Sequence, residues 1–581
     1  LSLGVHSALE SGTPAESMAA VASETVNLVI NDVEIAVPKG ELIVESVKRL
    51  GLEIPIFCYH PRMKPVGMCR MCLVEVGFKQ PDGSVRKMPK PQAACTLPAQ
   101  DNMVVYTDTE MVHRDRKGVL EFLLINHPLD CPICDRGGEC PLQNNTLFYG
   151  PSTSRFIEVK RHAHKAFPLS KYVTLDLERC IQCGRCVRFT EEISGDSELA
   201  FRFRGSSMQP STFELLDFTS KFSGNVIEIC PVGALTNREY RFRARPWDLE
   251  TKPAICLECS NGCSVWFDYR VNRMVRINGR TNEAVNEEWT CDRGKFGHEH
   301  YNAENRLTVP LIRKGDRLEE CDWPTAYSAI LSAFGVGGDK VAMLTGPTVS
   351  NEGLYLLNRV MREKFGSSNV DYRRTKHRLG GGVTPTAIAD LEDKAAILVF
   401  GNSPADDIPI IFLRIRKAWF KNGARVVAAH SAETDADSFA DVVLRYTPGT
   451  EGSLAKALAA AKSGGAVAEH AQACGVDEAR IREAAALLQG DFAIVTTDSI
   501  LNSDSGVEAL DTLGTLGGEL NRYALGGNDQ GAAELGLNSG DASAILTGCA
   551  EGSIEALWLA GADPFAFGDR SMVEKALEQV G

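Results

Sequence analysis

The feature that most constrains this chain is the placement of its cysteines. Fifteen of the 18 fall in four successive groups before residue 292. The first group is Cys58, Cys69, Cys72 and Cys95; the second is Cys131, Cys134 and Cys140 with His127 just ahead; the third is Cys180, Cys183, Cys186 and Cys230; the fourth is Cys256, Cys259, Cys263 and Cys291. A tight loop can turn thiols two or three residues apart toward one metal centre, and close runs completed by a distant fourth ligand are the iron-sulfur pattern. Close Cys-x2-Cys pairs without a secretory signal favour reduced thiols over disulfides. The first half of the chain therefore reads as a path for electrons.

A chain of 581 residues is too long for one core, and a prior of about 100 to 200 residues per domain gives roughly three to five domains. No apolar run approaches the roughly 18 residues that a spanning helix needs, so direct membrane insertion is not expected and any membrane link goes through partners. The net charge of -14 argues against a surface for nucleic-acid phosphates. Residues 1–24 contain no Lys or Arg and no apolar centre, which fits neither a transit peptide nor a secretory signal; they are expected to be a disordered extension.

From Thr25, two alternating runs flank Asn31-Asp32, which predicts a hairpin because both residues tolerate positive φ. Glu41 to Leu50 has a helical period ending at Gly51. Hairpin, helix and then a cysteine loop is the order of plant-type ferredoxins, which the region resembles with a longer first gap: here Cys-x10-Cys-x2-Cys-x22-Cys. Cys58, Cys69, Cys72 and Cys95 read as ligands of a [2Fe-2S] cluster, with Gly67 letting the backbone approach it. A zinc site is the rival reading, since thiolates suit both metals.

Val119 to Ile125 is an apolar helical segment that delivers His127. The unassigned cysteines are remote, so His-x3-Cys-x2-Cys-x5-Cys reads as a [4Fe-4S] site in which a neutral imidazole replaces one thiolate, an exchange that raises the potential. Cys180, Cys183 and Cys186 with Cys230-Pro231 form the bacterial ferredoxin run. Only one such run is present, so Cys230 most simply closes the same [4Fe-4S] cluster, and Pro231 to Leu235 supplies the turn after it.

These motifs, in this order, resemble the large iron-sulfur subunit of respiratory complex I, the NADH-quinone oxidoreductase. The wording from His127 to Gln143, His-Pro-Leu-Asp-Cys-Pro-Ile-Cys-Asp-Arg-Gly-Gly-Glu-Cys-Pro-Leu-Gln, is close to a signature of that family. Iron-only hydrogenases and NAD-linked formate dehydrogenases share the front end and supply the alternative reading. The fourth group, followed by Asp292-Arg-Gly-Lys295, resembles the [4Fe-4S] domain that opens molybdopterin oxidoreductases. Within the complex I family its presence implies a bacterial member; zinc is again the rival.

Beyond about residue 300 the texture is α/β. Strands are expected at Val341 to Thr345, Ala396 to Gly401, Ala424 to Ala428, Ala493 to Thr497 and Ala556 to Ala560, with helices at Asn351 to Lys364 and about 407–420. Such alternation predicts doubly wound parallel sheets. Gly401-Asn-Ser-Pro and Gly561-Ala-Asp-Pro lie where relatives hold a pterin nucleotide, and read as turn chemistry. In formate dehydrogenases a Cys or selenocysteine binds the metal near the place that Lys376 takes here, and an ammonium is no such ligand. Arg373, Arg374 and Lys376 are expected to be a surface or partner-facing charge run, on a molybdoenzyme fold without its cofactor. Isolated Cys321, Cys474 and Cys549 assemble no further cluster. The glycine run Leu379 to Val383 lacks the strand and helix of a nucleotide site, so NADH and FMN are expected on a partner.

The expected fold class is an α+β plant-type ferredoxin-like N-terminal domain and iron-sulfur domains, followed by an α/β molybdopterin-oxidoreductase-like domain. The boundaries are 1–24 extension, 25–105 [2Fe-2S] domain, 106–150 [4Fe-4S] domain of one histidine and three cysteines, 151–248 ferredoxin-like [4Fe-4S] domain, 249–305 molybdopterin-oxidoreductase-type [4Fe-4S] domain and 306–581 α/β domain. The resemblance implies an electron-transfer subunit with one [2Fe-2S] and three [4Fe-4S] clusters, no molybdopterin and no catalytic residue of its own. It implies a flavin- and NADH-binding partner, other peripheral-arm subunits, quinone as acceptor, proton translocation elsewhere in the complex, and a peripheral place on the cytoplasmic side of the bacterial inner membrane. Helix-like sequence running to Gly581 leaves a truncated or short variant open.

Overall fold

The computed structural model describes residues 24–580, so the expected N-terminal extension lies, but for Glu24, outside the described residues. The described residues form two compact units, one of 24–128 with 141–161, the other of 129–140 with 162–580. No helix among the described residues is long and apolar enough to cross a membrane.

In the first unit, Thr25–Ile30 pairs antiparallel with Val33–Pro38 across Asn31 and Asp32, both in the left-handed region at φ 46° and 67°. Two positive φ values in a two-residue turn give the twist that suits a hairpin. Thr25–Ile30 also pairs in parallel with Met103–Tyr106, which pairs antiparallel with Leu73–Lys79. A parallel neighbour needs a crossover, and the segment that makes it contains the helix Ile43–Arg49 and all four cysteines of the first group. Val26, Leu28, Ile30, Ile43, Val47, Val74, Val76 and Val105 fill the core together with Cys72 and Cys95. The helix Glu110–Ile125, capped by the Thr109 hydroxyl, follows. Arg116 is buried on it and donates to the Leu73 carbonyl at 2.9 Å.

The second unit begins with small antiparallel sheets. Val173–Leu175 pairs with Leu235–Asn237 and Phe167–Pro168, and Ser264–Arg270 lies between Glu250–Ile255 and Arg273–Gly279. Two parallel sheets follow. Val341–Thr345 is flanked by Val370–Asp371 and Ala556–Ala560. In the larger sheet the spatial order is Val442–Arg445, Arg425–His430, Ala396–Phe400, Phe492–Thr497, Glu519–Tyr523. The chain enters at the centre, winds out to one edge and returns to build the other, a doubly wound arrangement. Its central strands are continuous apolar runs because both faces are covered; Ile397, Leu398, Val399 and Phe400 have no exposed surface. The expected βαβ unit is present, its helix Pro409–Asn422 and second strand Arg425–His430 each displaced by a residue or two from the sequence reading.

The charge-run expectation is corrected. Arg373 Nε pairs with the fully buried Asp371 at 2.8 Å and its Nη2 donates to the Gly540 carbonyl at 2.7 Å, while Arg374 pairs with Asp529 at 2.5 Å. Both guanidiniums are largely buried and serve loops at the strand ends; only Lys376 is a surface group, its ammonium 2.8 Å from both Asp504 oxygens.

His430 ends its strand at 3% exposure, and burial pushes its imidazole down to about 4 against the pull of Asp437. An unfolded histidine titrates near about 6.5. The unfolded chain therefore binds a proton that the native state refuses between these values, and stability falls as pH drops through that window. Replacing the group by His430→Leu is expected to flatten the slope of unfolding free energy between about pH 6.5 and 4 by about 1.4 kcal/mol per pH unit. Urea unfolding at several pH values measures this, and equal slopes in parent and variant would exclude a neutral buried His430.

Candidate metal centres

The first group lies wholly in the first unit. Cys58, Cys72 and Cys95 are buried and Cys69 is partly exposed. The Cys58 N–H donates to Cys69 Sγ at 3.4 Å. The Cys69 and Cys95 thiols hold Cys58 low, Cys95 likewise lowers Cys72, and the same contacts drive Cys69 and Cys95 upward. Gly67 stands at φ 60°, a conformation glycine takes without steric cost, with Thr96 Cγ2 3.0 Å from where a Cβ would lie.

The second group is divided. His127 belongs to the first unit and Cys131, Cys134 and Cys140 to the second. A short 3-10 turn, Cys131–Ile133, starts the loop, and the Gly137 N–H bonds back to the Cys134 carbonyl at 2.9 Å. Arg245 donates to that same carbonyl at 2.6 Å, and Asp130 is held by Arg179 Nε and Nη2 at 3.1 and 3.0 Å. Burial raises the Cys134 thiol, with Arg179 opposing. The turn after Cys230 reaches this loop: the Cys140 thiol lies 3.7 Å from the Pro231 carbonyl, and a Cβ on Gly233 would fall 2.1 Å from Cys134 Sγ.

The third group gathers on one loop and one short helix. Gln182 and Gly184 take left-handed conformations, φ 55° and 72°, which curl the peptide around Cys183, and the Gln182 N–H donates to Cys180 Sγ at 3.4 Å. Cys230 caps the helix Asn225–Ile229, and Arg185 donates to the Ile229 carbonyl at 3.1 Å. Burial, with the neighbouring thiols adding to it, pushes Cys180 up to about 12 and Cys183 to about 11, and holds Cys186 well above the ordinary thiol value.

The fourth group closes between the first turn of its sheet and the helix Asp292–Phe296. The Cys256 N–H donates to the Cys263 carbonyl at 2.9 Å, and the Gly294 N–H to Cys291 Sγ at 3.4 Å. A Cβ on Gly294 would sit 2.9 Å from Cys256 Sγ. Burial pushes Cys256 up to about 11 and Cys291 to about 12, with Cys259 adding to both, and raises Cys263 far above the usual range.

Desolvated thiols beside one another resist ionisation because each added negative charge meets the others in a poorly solvating medium. A bound cation inverts this, since a coordinating thiol is deprotonated outright. All-thiol donor sets on loops with N–H groups aimed at sulfur fit iron-sulfur clusters, whose ligands are cysteines and whose potentials respond to such hydrogen bonds. No group of three or more His, Cys, Asp and Glu among the described residues is arranged for a single metal ion. Sequence reasoning missed the supports, namely Arg179, Arg185, Arg245 and the residues flanking Cys291; the one available signal was a charged residue directly beside a ligand, as at Arg179 and Asp292. The loops Gly401-Asn-Ser-Pro and Gly561-Ala-Asp-Pro are turns at strand ends with φ 74° and 60° at their glycines. Gly233→Ala should force its methyl into Cys134 Sγ and lower bound iron by the second cluster's share while sparing the others; iron analysis with EPR reads this, and full occupancy would mean that the turn yields.

Family models match successive regions of the chain: a 2Fe-2S iron-sulfur cluster binding domain at residues 23–110, the NADH-ubiquinone oxidoreductase-G iron-sulfur binding region at 116–155, the ferredoxin-like domain of NADH-quinone oxidoreductase subunit 3 at 170–236, the molybdopterin oxidoreductase Fe4S4 domain at 249–303 and molybdopterin oxidoreductase at 306–579. The NADH-quinone oxidoreductase G subunit of Streptomyces coelicolor is 34% identical over 96% of this chain and 71% of its own length. That of Mycobacterium bovis is 41% identical over 68% of this chain and 50% of its own length, and that of Rickettsia felis 37% over 75% and 65%. The chain thus spans between half and about seven tenths of these relatives. With the ligand groups in order along these regions, the chain belongs to the family of NADH-quinone oxidoreductase G subunits.

Proposed function

We propose that this chain relays electrons within an NADH-quinone oxidoreductase, from a flavin- and NADH-binding subunit through one [2Fe-2S] and three [4Fe-4S] clusters toward quinone-reducing subunits. Cys58, Cys69, Cys72 and Cys95 hold the [2Fe-2S] cluster. His127 with Cys131, Cys134 and Cys140, Cys180 with Cys183, Cys186 and Cys230, and Cys256 with Cys259, Cys263 and Cys291 hold the [4Fe-4S] clusters. The reading includes the proton-translocating class of the reaction, the other peripheral-arm subunits as partners, and a place on the cytoplasmic face of a bacterial inner membrane. The observation that carries the reading is the succession of four cysteine groups along the chain, most of their thiols buried.

The clusters when bound supply one-electron carriers; the chain supplies insulation, spacing and hydrogen bonds to sulfur. Burial withdraws most of the sulfurs from water, and N–H donors at Cys58, Gln182 and Gly294 stabilise sulfur charge. Lys376 and His377 are both turned onto Asp504, the imidazole at 2.5 Å, which supports a molybdoenzyme fold used as scaffold and disfavours the formate dehydrogenase alternative.

The test is anaerobic iron and acid-labile sulfide analysis with low-temperature EPR during a reductive titration. The stated clusters predict about 14 iron atoms without molybdenum. Stoichiometric zinc with about 10 iron would make one group structural, and molybdenum near one per chain would overturn the reading. His127→Cys, which replaces a neutral ligand by an anion, should make the second cluster's potential more negative; an unchanged or raised potential would remove His127 from the ligand set.

A further inference from the structure

The chain flanking Cys291 closes upon the helix that carries Cys230. The Asn225 amide donates to the carbonyls of Phe222 and Thr290 at 2.9 and 2.7 Å, and its oxygen accepts the Thr290 N–H at 3.0 Å. Asp292 accepts the Ser223 hydroxyl at 2.5 Å and the Gly224 N–H at 2.7 Å, and its own N–H donates to the Lys221 carbonyl at 2.8 Å. The Lys295 ammonium pairs with Glu228, whose carboxylate also accepts the Gly279 N–H. Ser223, Asn225, Thr290, Asp292 and Lys295 are all buried. Gly224 permits the approach, since a Cβ there would fall 2.2 Å from Lys295 Cδ.

The helix Asn225–Ile229 has five residues. A helix that short does not hold itself together, because nucleation fixes several dihedrals for each hydrogen bond gained. Its direction, and with it the position of Cys230 at its C-terminal end, depends on what grips it. The grip comes from residues 290, 292 and 295, which bracket the last ligand of the fourth group.

We propose that Asn225 and Asp292 are positioning residues for the third cluster: the segment around Cys291 orients the helix that presents Cys230, so the fourth group governs how firmly the third retains its iron. This rests on the assignment of Cys180, Cys183, Cys186 and Cys230 to one [4Fe-4S] cluster. Removing a support of this kind weakens metal retention about ten-fold or more.

The full chain is prepared anaerobically as wild type, Asn225→Ala, Asp292→Ala and Asp292→Asn, and its EPR signals are followed during reductive titration and exposure to an iron chelator. The third cluster's signal is the one that Cys230→Ser abolishes. Both alanine variants are expected to change its line shape and shorten its chelator half-life about ten-fold, with the [2Fe-2S] signal unaltered in the same sample. Asp292→Asn, which keeps an acceptor for the Gly224 N–H and a partner for Ser223, should behave as wild type. An unchanged line shape and half-life in both alanine variants overturns the proposal. A Cys230→Ser variant that keeps every wild-type signal overturns the ligand assignment instead. If near-UV circular dichroism shows that the unit holding residues 162–580 has not folded in an alanine variant, Ser223→Ala, which deletes a single hydrogen bond, carries the same two outcomes.

Discussion

The iron-sulfur half of the chain answers to one difficulty, the gathering of thiols in places where most are withdrawn from water and only a few arginines, such as Arg179 and Arg293, offset their charge. Such a site is poorly disposed to ionise alone and well disposed to bind a cationic inorganic core, because the core takes up the charge that the protein withholds from solvent. The groups meet the difficulty in different surroundings. The first sets Cys72 and Cys95 in an apolar core beside Val74 and Val105. The third and fourth use loops whose carbonyls and N–H groups are turned by left-handed residues such as Gln182 and Gly184.

Loops of this kind have little rigidity of their own, so their supports come from outside. Arginine recurs in that role because one guanidinium can satisfy several acceptors at fixed angles. Arg136 reaches the carbonyls of Ile227 and Glu228, Arg245 those of Cys134 and Pro132, and Arg179 holds Asp130. The loops of the second and third groups are thereby tied to each other through backbone carbonyls rather than through an apolar core.

The parts of this architecture that rest on local rules were legible in the sequence. Asn31-Asp32 announced its hairpin because turn geometry is a property of two residues, and Ala396 to Phe400 announced a buried strand because a parallel sheet demands continuous apolar side chains. The strand Glu519–Tyr523 was invisible for the opposite reason. Its Asn521 and Arg522 are polar yet buried, the first bonded to Thr386 and the second to Asp498. Polar residues whose partners lie far off in the chain carry no period. The same blindness turned Arg373 and Arg374 into a surface run: nothing local in Arg-Arg-Thr-Lys reveals Asp371, Gly540 and Asp529 as acceptors. Ligand spacing was readable, whereas supports that join distant segments, as Arg245 and Cys134 do, were not.

The strand Val341–Thr345 has its longer neighbour in Ala556–Ala560, more than two hundred residues later. During synthesis the first of these leaves the ribosome long before the second, by roughly 10 to 40 s at typical elongation rates. For that interval a strand of apolar side chains has an open edge, the kind of edge that pairs with other chains. Closure of so long a loop is also intrinsically slow. Until residues 556–560 arrive, that edge is the part of the nascent chain most open to pairing with other strands.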